Sequence, residues 1–252
     1  MKKYNVLFAG ESWFFTTTET KGTDQFTIGG YQTEIERVRG YMGDFAQITH
    51  VPAHLVPEQF PGSMEEMGKY DLVLISDVGA NTFLLHPDTF FKSQSTVNRL
   101  ELIKEYVEQG GAFGMIGGYM TFMGIEGKGC YRGTPLEEIL PVRMKDHDDR
   151  RELPQGFQIR LRAEEHPVTA GLDGDWPCLL GYNQTEAKEG AEVLISCGQD
   201  PILALGEYGE GRTFAWMSDC APHWMPAQFC ECSLNRKMWK QLFDWCTQKR
   251  RG

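Results

Sequence analysis

The residues able to do chemistry cluster where apolar runs stop. Glu11, Ser12 and Trp13 come just after the run Tyr4 to Ala9, and Asp77 follows Asp71 to Ser76. Tyr119 follows Gly117 and Gly118, which end the run Ala112 to Ile116. The run from Arg212 ends at Asp219, with Cys220 and His223 close behind. Carboxylates, a phenol and an imidazole brought to one place can accept and donate protons near neutral pH, which is general acid–base chemistry. In that chemistry His223 is a base or a metal ligand, Tyr119 a donor to a ligand, and Glu11 and Asp77 a carboxylate pair. Asp219 precedes His223 by four residues, but without a known helix that spacing fixes no distance. Each residue also has a structural alternative: Tyr119 packed on a sheet, His223 satisfied by its neighbours, the carboxylates capping helices or meeting water.

Two thiols stand where a substitute nucleophile could, Cys220 near His223 and Cys130 beside the loop Gly124 to Gly129; buried or incidental thiols are the commoner case. Cys230 and Cys232 are too close for a usual zinc pair and have no second pair. Asp146, His147, Asp148 and Asp149 have a metal-site composition, but Arg150 and Arg151 beside them suggest a solvated loop. The glycines at 124, 127 and 129 match no phosphate or dinucleotide fingerprint, so no metal and no cofactor is expected. Trp13, Phe14 and Phe15 could stack on a ring-shaped ligand or bury against another subunit.

The elements that would position these residues alternate along the first half of the chain. Strands are expected at Tyr4 to Ala9, Ile48 to Val51, Asp71 to Ser76 and Ala112 to Ile116. Helical spacing of Ile35, Val38, Met42 and Phe45, and of Val97, Leu100, Ile103 and Val107, predicts helices over 34–45 and 97–109. Met120 to Met123 could begin another, which would make Gly117-Gly118-Tyr119 an exposed elbow between strand and helix. Continuously apolar strands alternating with helices indicate a parallel sheet covered on both faces, a flavodoxin-like doubly wound α/β fold. In the second half, strands are expected at 158–162, 193–197, 202–208 and 212–219, with a hairpin at Gly209-Glu210-Gly211. The stretch 145–152 reads as exposed, and Leu234, Met238, Leu242 and Trp245 mark a closing amphipathic helix. Neither a linker nor a repeat stands out, so one domain over 1–252 is expected. Ligands of such sheets bind beyond the carboxyl ends of the strands, where the chemical residues fall.

With 41% hydrophobic and 24% charged residues the composition is that of a soluble globular protein. A net charge of −10 argues against nucleic-acid partners, and the basic cluster Lys249-Arg250-Arg251 reads as a solvated tail. No stretch approaches the roughly 20 apolar residues of a membrane span, and the run after Lys2-Lys3 is too short for a signal peptide. A cytoplasmic protein is expected, its seven cysteines reduced.

Five motifs occur in order along the chain: Gly117-Gly118-Tyr119, the segment Thr134 to Val142, His166 to Leu172, Gly206 to Arg212 and Asp219 to Trp224. Together they resemble the class I glutamine amidotransferase-like superfamily. The chain is most similar to its "putative glutamine amidotransferase" branch and more distantly to trehalose-utilisation-like proteins. The resemblance implies the fold given above, and its departures bear on activity. Where the enzymes carry cysteine in Gly-x-Cys-x-Gly, this chain has Tyr119, with Thr121 at the second glycine. Where they carry His-x-Glu, His223 is followed by Trp224 and Met225. A phenol of pKa about 10 is a poor substitute for a thiol near about 8.5, so glutaminase activity is not expected. Three readings follow: a small-molecule site, possible ligands including carbohydrates by analogy with the distant branch; a non-catalytic homo-oligomerisation module using surface around Trp13, Trp176 and Trp224; and a hydrolase using Cys130 or Cys220.

Overall fold

A computed structural model describes residues 3–248, so Lys2 and the basic cluster at 249–251 lie outside the described residues. The chain opens with strand β1 (Tyr4–Gly10), a two-stranded ribbon of β2 (Ser12–Lys21) and β3 (Asp24–Thr33), helix α1 (Ile35–Met42) and β4 (Ala46–Val51). After β5 (Leu72–Ser76) come α2 (Pro87–Lys92), α3 (Arg99–Glu108) and β6 (Ala112–Ile116). The second half contributes β7 (Arg150–Phe157), β8 (Arg160–Leu161), β9 (Leu179–Asn183), β10 (Glu192–Cys197), β11 (Asp200–Tyr208), β12 (Gly211–Trp216) and the closing helix α4 (Ser233–Cys246).

The main sheet runs β4-β1-β5-β6-β12-β11-β10-β8. Its first five strands are parallel, and counted in chain order they read 2-1-3-4-5, the flavodoxin-like arrangement. β11, β10 and β8 extend it antiparallel, with β11 and β12 joined by the expected hairpin. All five residues of β5 and of β6 are buried, as strands covered on two faces must be. One helical layer pairs α1 with α4, while α3 and the short helices around it form another. α3 starts at Asn98, whose side chain caps Leu100 and Glu101, so Val97 falls outside the helix and is exposed.

Four expectations need correction. No helix follows Tyr119: residues 118–123 are turns and bends, and Phe122 and Gly124 stand at φ 52° and 65°, left-handed backbone that a right-handed helix cannot continue through. Asp77 accepts from Met120 N, and Asp149 accepts from Met123 N and Gly124 N. The stretch 145–152 is not simply an exposed loop, since Asp149 is buried and β7 begins at Arg150. The strand expected over 158–162 is reduced to Arg160–Leu161. Trp176 and Trp224 are core residues and offer no surface. The ribbon β2–β3 was not foreseen; its tight turn at Lys21–Asp24 contains Gly22 at φ +67°.

Candidate functional site

Parallel order reverses between β1 and β5, the point where loops diverge and leave a crevice at the carboxyl edge. The two strands end in register, Gly10 beside Ser76. Gly10 is required there: at φ +104°, a Cβ would lie 1.8 Å from the Ser76 carbonyl. The next residues, Glu11 and Asp77, are both left-handed, at φ 50° and 48°. Such backbone in non-glycine residues is uncommon and clusters at functional sites.

Glu11 is buried; its Oε2 accepts from Ser76 Oγ at 2.7 Å and from the Cys220 thiol at 3.4 Å. Burial, with Asp219 and Asp77 nearby, pushes its carboxyl pKa well above the usual range. Asp77 Oδ1 accepts from Met120 N at 2.8 Å, and burial followed by the charge of Asp219 raises its pKa to about 6. Asp219 anchors its own turn, Oδ1 accepting from Cys220 N at 2.7 Å and Ala221 N at 3.3 Å. Its Oδ2 lies 3.6 Å from His223 Nδ1, close enough for attraction but longer than a hydrogen bond. His223 stacks on Trp224 with ring centroids 5.1 Å apart and keeps an exposed side.

These residues meet. Glu11, Trp13, Asp77, Tyr119, Asp219, Pro222 and His223 line one open cavity of about 360 Å³. Of the expected ligand residues, Ser12 is buried and does not line it, its Oγ accepting from Ala53 N. Gly117 and Gly118, also expected to bind a ligand, do not line it. A Cβ on Gly117 would lie 2.1 Å from Met217 O, and one on Gly118 would lie 2.9 Å from Asp77 Oδ1.

Tyr119 is a wall more than a donor. Its hydroxyl donates to Glu152 Oε1 at 2.9 Å, its ring meets His223 edge-on at 4.4 Å, and the Arg150 guanidinium sits 4.7 Å from its centroid. Burial and the Glu152 hydrogen bond raise the phenol pKa, so it stays protonated near neutrality. Glu152 also accepts from the Trp224 indole at 3.0 Å, and Arg150 is held by a bidentate pair with Asp148. Asn183 ties the glycine turn down: its amide accepts from Gly118 N at 2.9 Å and donates to Gly118 O and Asp149. Arg150, Glu152, Asn183 and Asp149 are the supporting residues that sequence reasoning missed.

The two thiols differ. Cys220 is fully buried, and burial together with Glu11 and Asp219 pushes its pKa well above an ordinary thiol. Cys130 is exposed, donates to Gly127 O and does not line the cavity. Among the described residues one group of three, Glu11, Asp219 and Cys220, brings possible ligand atoms within 4.8 Å of one another, which could hold a metal ion. Of the three side chains, the Cys220 thiol and Glu11 Oε2 are joined by a hydrogen bond, while Asp219 Oδ1 accepts from backbone N–H groups.

The profile of a family described as "Putative glutamine amidotransferase" matches residues 5–248. Among solved structures, the chain is 43% identical to the cytoplasmic protein STM3548 of Salmonella typhimurium, covering 96% of this chain and 98% of that one with a TM-score of 0.92. It is 40% identical to the cytoplasmic protein STM1381 of the same organism, covering 98% and 100% with a TM-score of 0.91. A "putative thua-like protein" from Parabacteroides merdae shares the fold at 14% identity, with coverage of 98% and 91% and a TM-score of 0.55. No curated protein matches.

Proposed function

The chain belongs to the "putative glutamine amidotransferase" family, and from that membership we propose a protein that binds a small hydroxyl-rich molecule, neutral or cationic, and moves protons on it. The observation that carries this reading is the meeting of Asp77, its pKa about 6, with Asp219 and His223 in the cavity at the strand-order reversal. A carboxyl that titrates near neutral pH can give and take a proton at useful rates, and an imidazole with a carboxylate near Nδ1 can do the reverse. Asp77 and Asp219 disfavour an anionic ligand. Trp13, Tyr119 and His223 offer aromatic faces of the kind that stack on sugar rings.

Glutamine hydrolysis by the family mechanism is not part of this reading. The elbow position holds Tyr119, whose oxygen is committed to Glu152. Cys220 is closest to the cavity residues, but a buried thiol held protonated by neighbouring carboxyls is a poor nucleophile. A cytoplasmic location is proposed from the two Salmonella relatives described as cytoplasmic.

The test is a thermal-shift and calorimetric comparison of neutral monosaccharides, amino sugars and sugar acids. Neutral or amino sugars should bind, and binding should weaken at least about tenfold in Trp13→Ala and Asp77→Asn. Selective binding of sugar acids, binding indifferent to both substitutions, or no binding by any of the three classes would overturn the reading.

A further inference from the structure

The large hydrophobic side chains exposed on this molecule fall in two segments among the described residues. One is the ribbon β2–β3; the other is residues 85–97, where Phe90 and Phe91 pack edge-on at 4.9 Å and are 62% and 78% exposed. Both segments arise from the carboxyl ends of neighbouring strands, the ribbon after β1 and the second segment after β5.

The two faces of the ribbon differ in composition. Its register puts Trp13, Phe15, Ile28 and Phe26 on one face, with the Phe15 ring lying across Gly30; Glu19, Lys21 and Asp24 share that face at the tip, where Lys21 Nζ sits 5.1 Å from the Phe26 centroid. The other face is largely threonine beyond its root, where Phe14 and Tyr31 hold His54 at 5.0 and 5.4 Å. That root is where the body grips the ribbon. Ten residues of strand reach roughly 33 Å, and a two-stranded hairpin is at best marginally stable alone. A ribbon face that is apolar below its charged tip and a diphenylalanine surface, each without an intramolecular cover among the described residues, are a complementary pair on one chain.

Charge points to a second copy as the occupant. The molecule carries −10, so two copies repel unless they meet where charge is sparse. The ribbon has only Glu19, Lys21 and Asp24 as charged residues, and the 85–97 segment has only Asp88 and Lys92 besides His86. Lys21 pairs with Glu19 and Lys92 with Asp88, leaving little net charge at either surface.

We propose that the ribbon of one copy lies across residues 85–97 of a second copy, and that two such contacts about a two-fold axis form an arm-exchanged dimer. Because Trp13 belongs both to the ribbon's apolar face and to the cavity wall, the contact also fixes one side of each cleft. The proposal stands apart from the ligand chemistry.

Sedimentation velocity on the full chain tests it, with Ile28→Glu and Phe91→Glu as exposed substitutions and circular dichroism melting as the check on folding. The wild type should be dimeric at micromolar concentration. Each variant should melt normally and dimerise at least about tenfold more weakly. Mixed together, the variants should recover association, since the intact ribbon of one meets the intact 85–97 surface of the other. A monomeric wild type, a variant as dimeric as wild type, or a mixture no better associated than its components would overturn it. A second variant pair, Phe26→Glu with Phe90→Glu, applies the same criteria if either first variant misfolds.

Discussion

Glu11 and Asp77 end neighbouring parallel strands in the same conformation, φ 50° and 48°, and place two raised-pKa carboxyls in one cavity. Left-handed backbone costs on the order of 1 kcal/mol at a non-glycine residue, and here it is adopted twice in adjacent positions. The strain keeps both side chains at the crevice instead of continuing the strands.

Asp77 links stability to pH. Its carboxyl has a raised folded pKa, about 6 against 3.8 for the free group, so the folded protein holds an extra proton between those values. Stability from this group is complete below the unfolded value and is lost as pH rises through about 6. Glu11 acts in the same direction. Denaturant unfolding at a series of pH values should show wild type losing on the order of 1–3 kcal/mol relative to Asp77→Asn between acid and neutral pH. Parallel profiles would show that Asp77 titrates normally.

The glycine turn tolerates no side chain. Gly117→Ala would set a Cβ against Met217 O at 2.1 Å. A loss on the order of 3 kcal/mol or more is expected by thermal or chemical unfolding. Gly190→Ala is an informative comparison: no atom lies within 4 Å of its Cβ, and the cost there comes from its φ of +81° alone. Equal effects at the two positions would contradict the crowding argument.

Glu152 holds the aromatic wall. Glu152→Ala removes the acceptor of both the Tyr119 hydroxyl and the Trp224 indole. The expected cost is roughly 1–2 kcal/mol, a melting decrease of about 2–6 °C, with weaker ligand binding through a loosened Tyr119. Melting curves and binding isotherms check this together; an unchanged melting temperature would place Glu152 outside the support of the wall.

Thiol accessibility separates the cysteines. Cys130 should react with a maleimide in the folded protein, whereas Cys220, Cys230 and Cys246, all buried with raised pKa values, should react only on unfolding. Peptide mapping of modified protein gives the order. Rapid labelling of Cys220 in folded protein would restore the displaced-cysteine hydrolase.

What was legible in the sequence follows from the range of the forces involved. β1, β5 and β6 announce themselves because burial on two faces demands uninterrupted apolar residues, and their order then places Glu11, Asp77 and Tyr119 at one edge. The ribbon escaped notice because most of its residues are exposed, leaving threonine runs without a core-facing alternation. The supporting residues failed for another reason. Asp149 and Arg150 sit in a strongly polar stretch that reads as solvated, yet Asp149 is buried by bonds to Met123, Gly124 and Asn183, each 25 or more residues away. The helix expected after Tyr119 fails at Phe122 and Gly124, both at positive φ, in a segment held by those same long-range bonds. Asn183 stands in a sequon, Asn183-Gln184-Thr185, whose pattern says nothing of its place under the turn.

The most direct test of the acid–base cleft is a carbon-13 NMR titration of the Asp77 side-chain carboxyl, run free and with the best-binding sugar. The account predicts an inflection near pH 6 in the free protein and a clear displacement when the sugar is bound. An inflection near the ordinary aspartate value, about 4, unmoved by ligand, would contradict it.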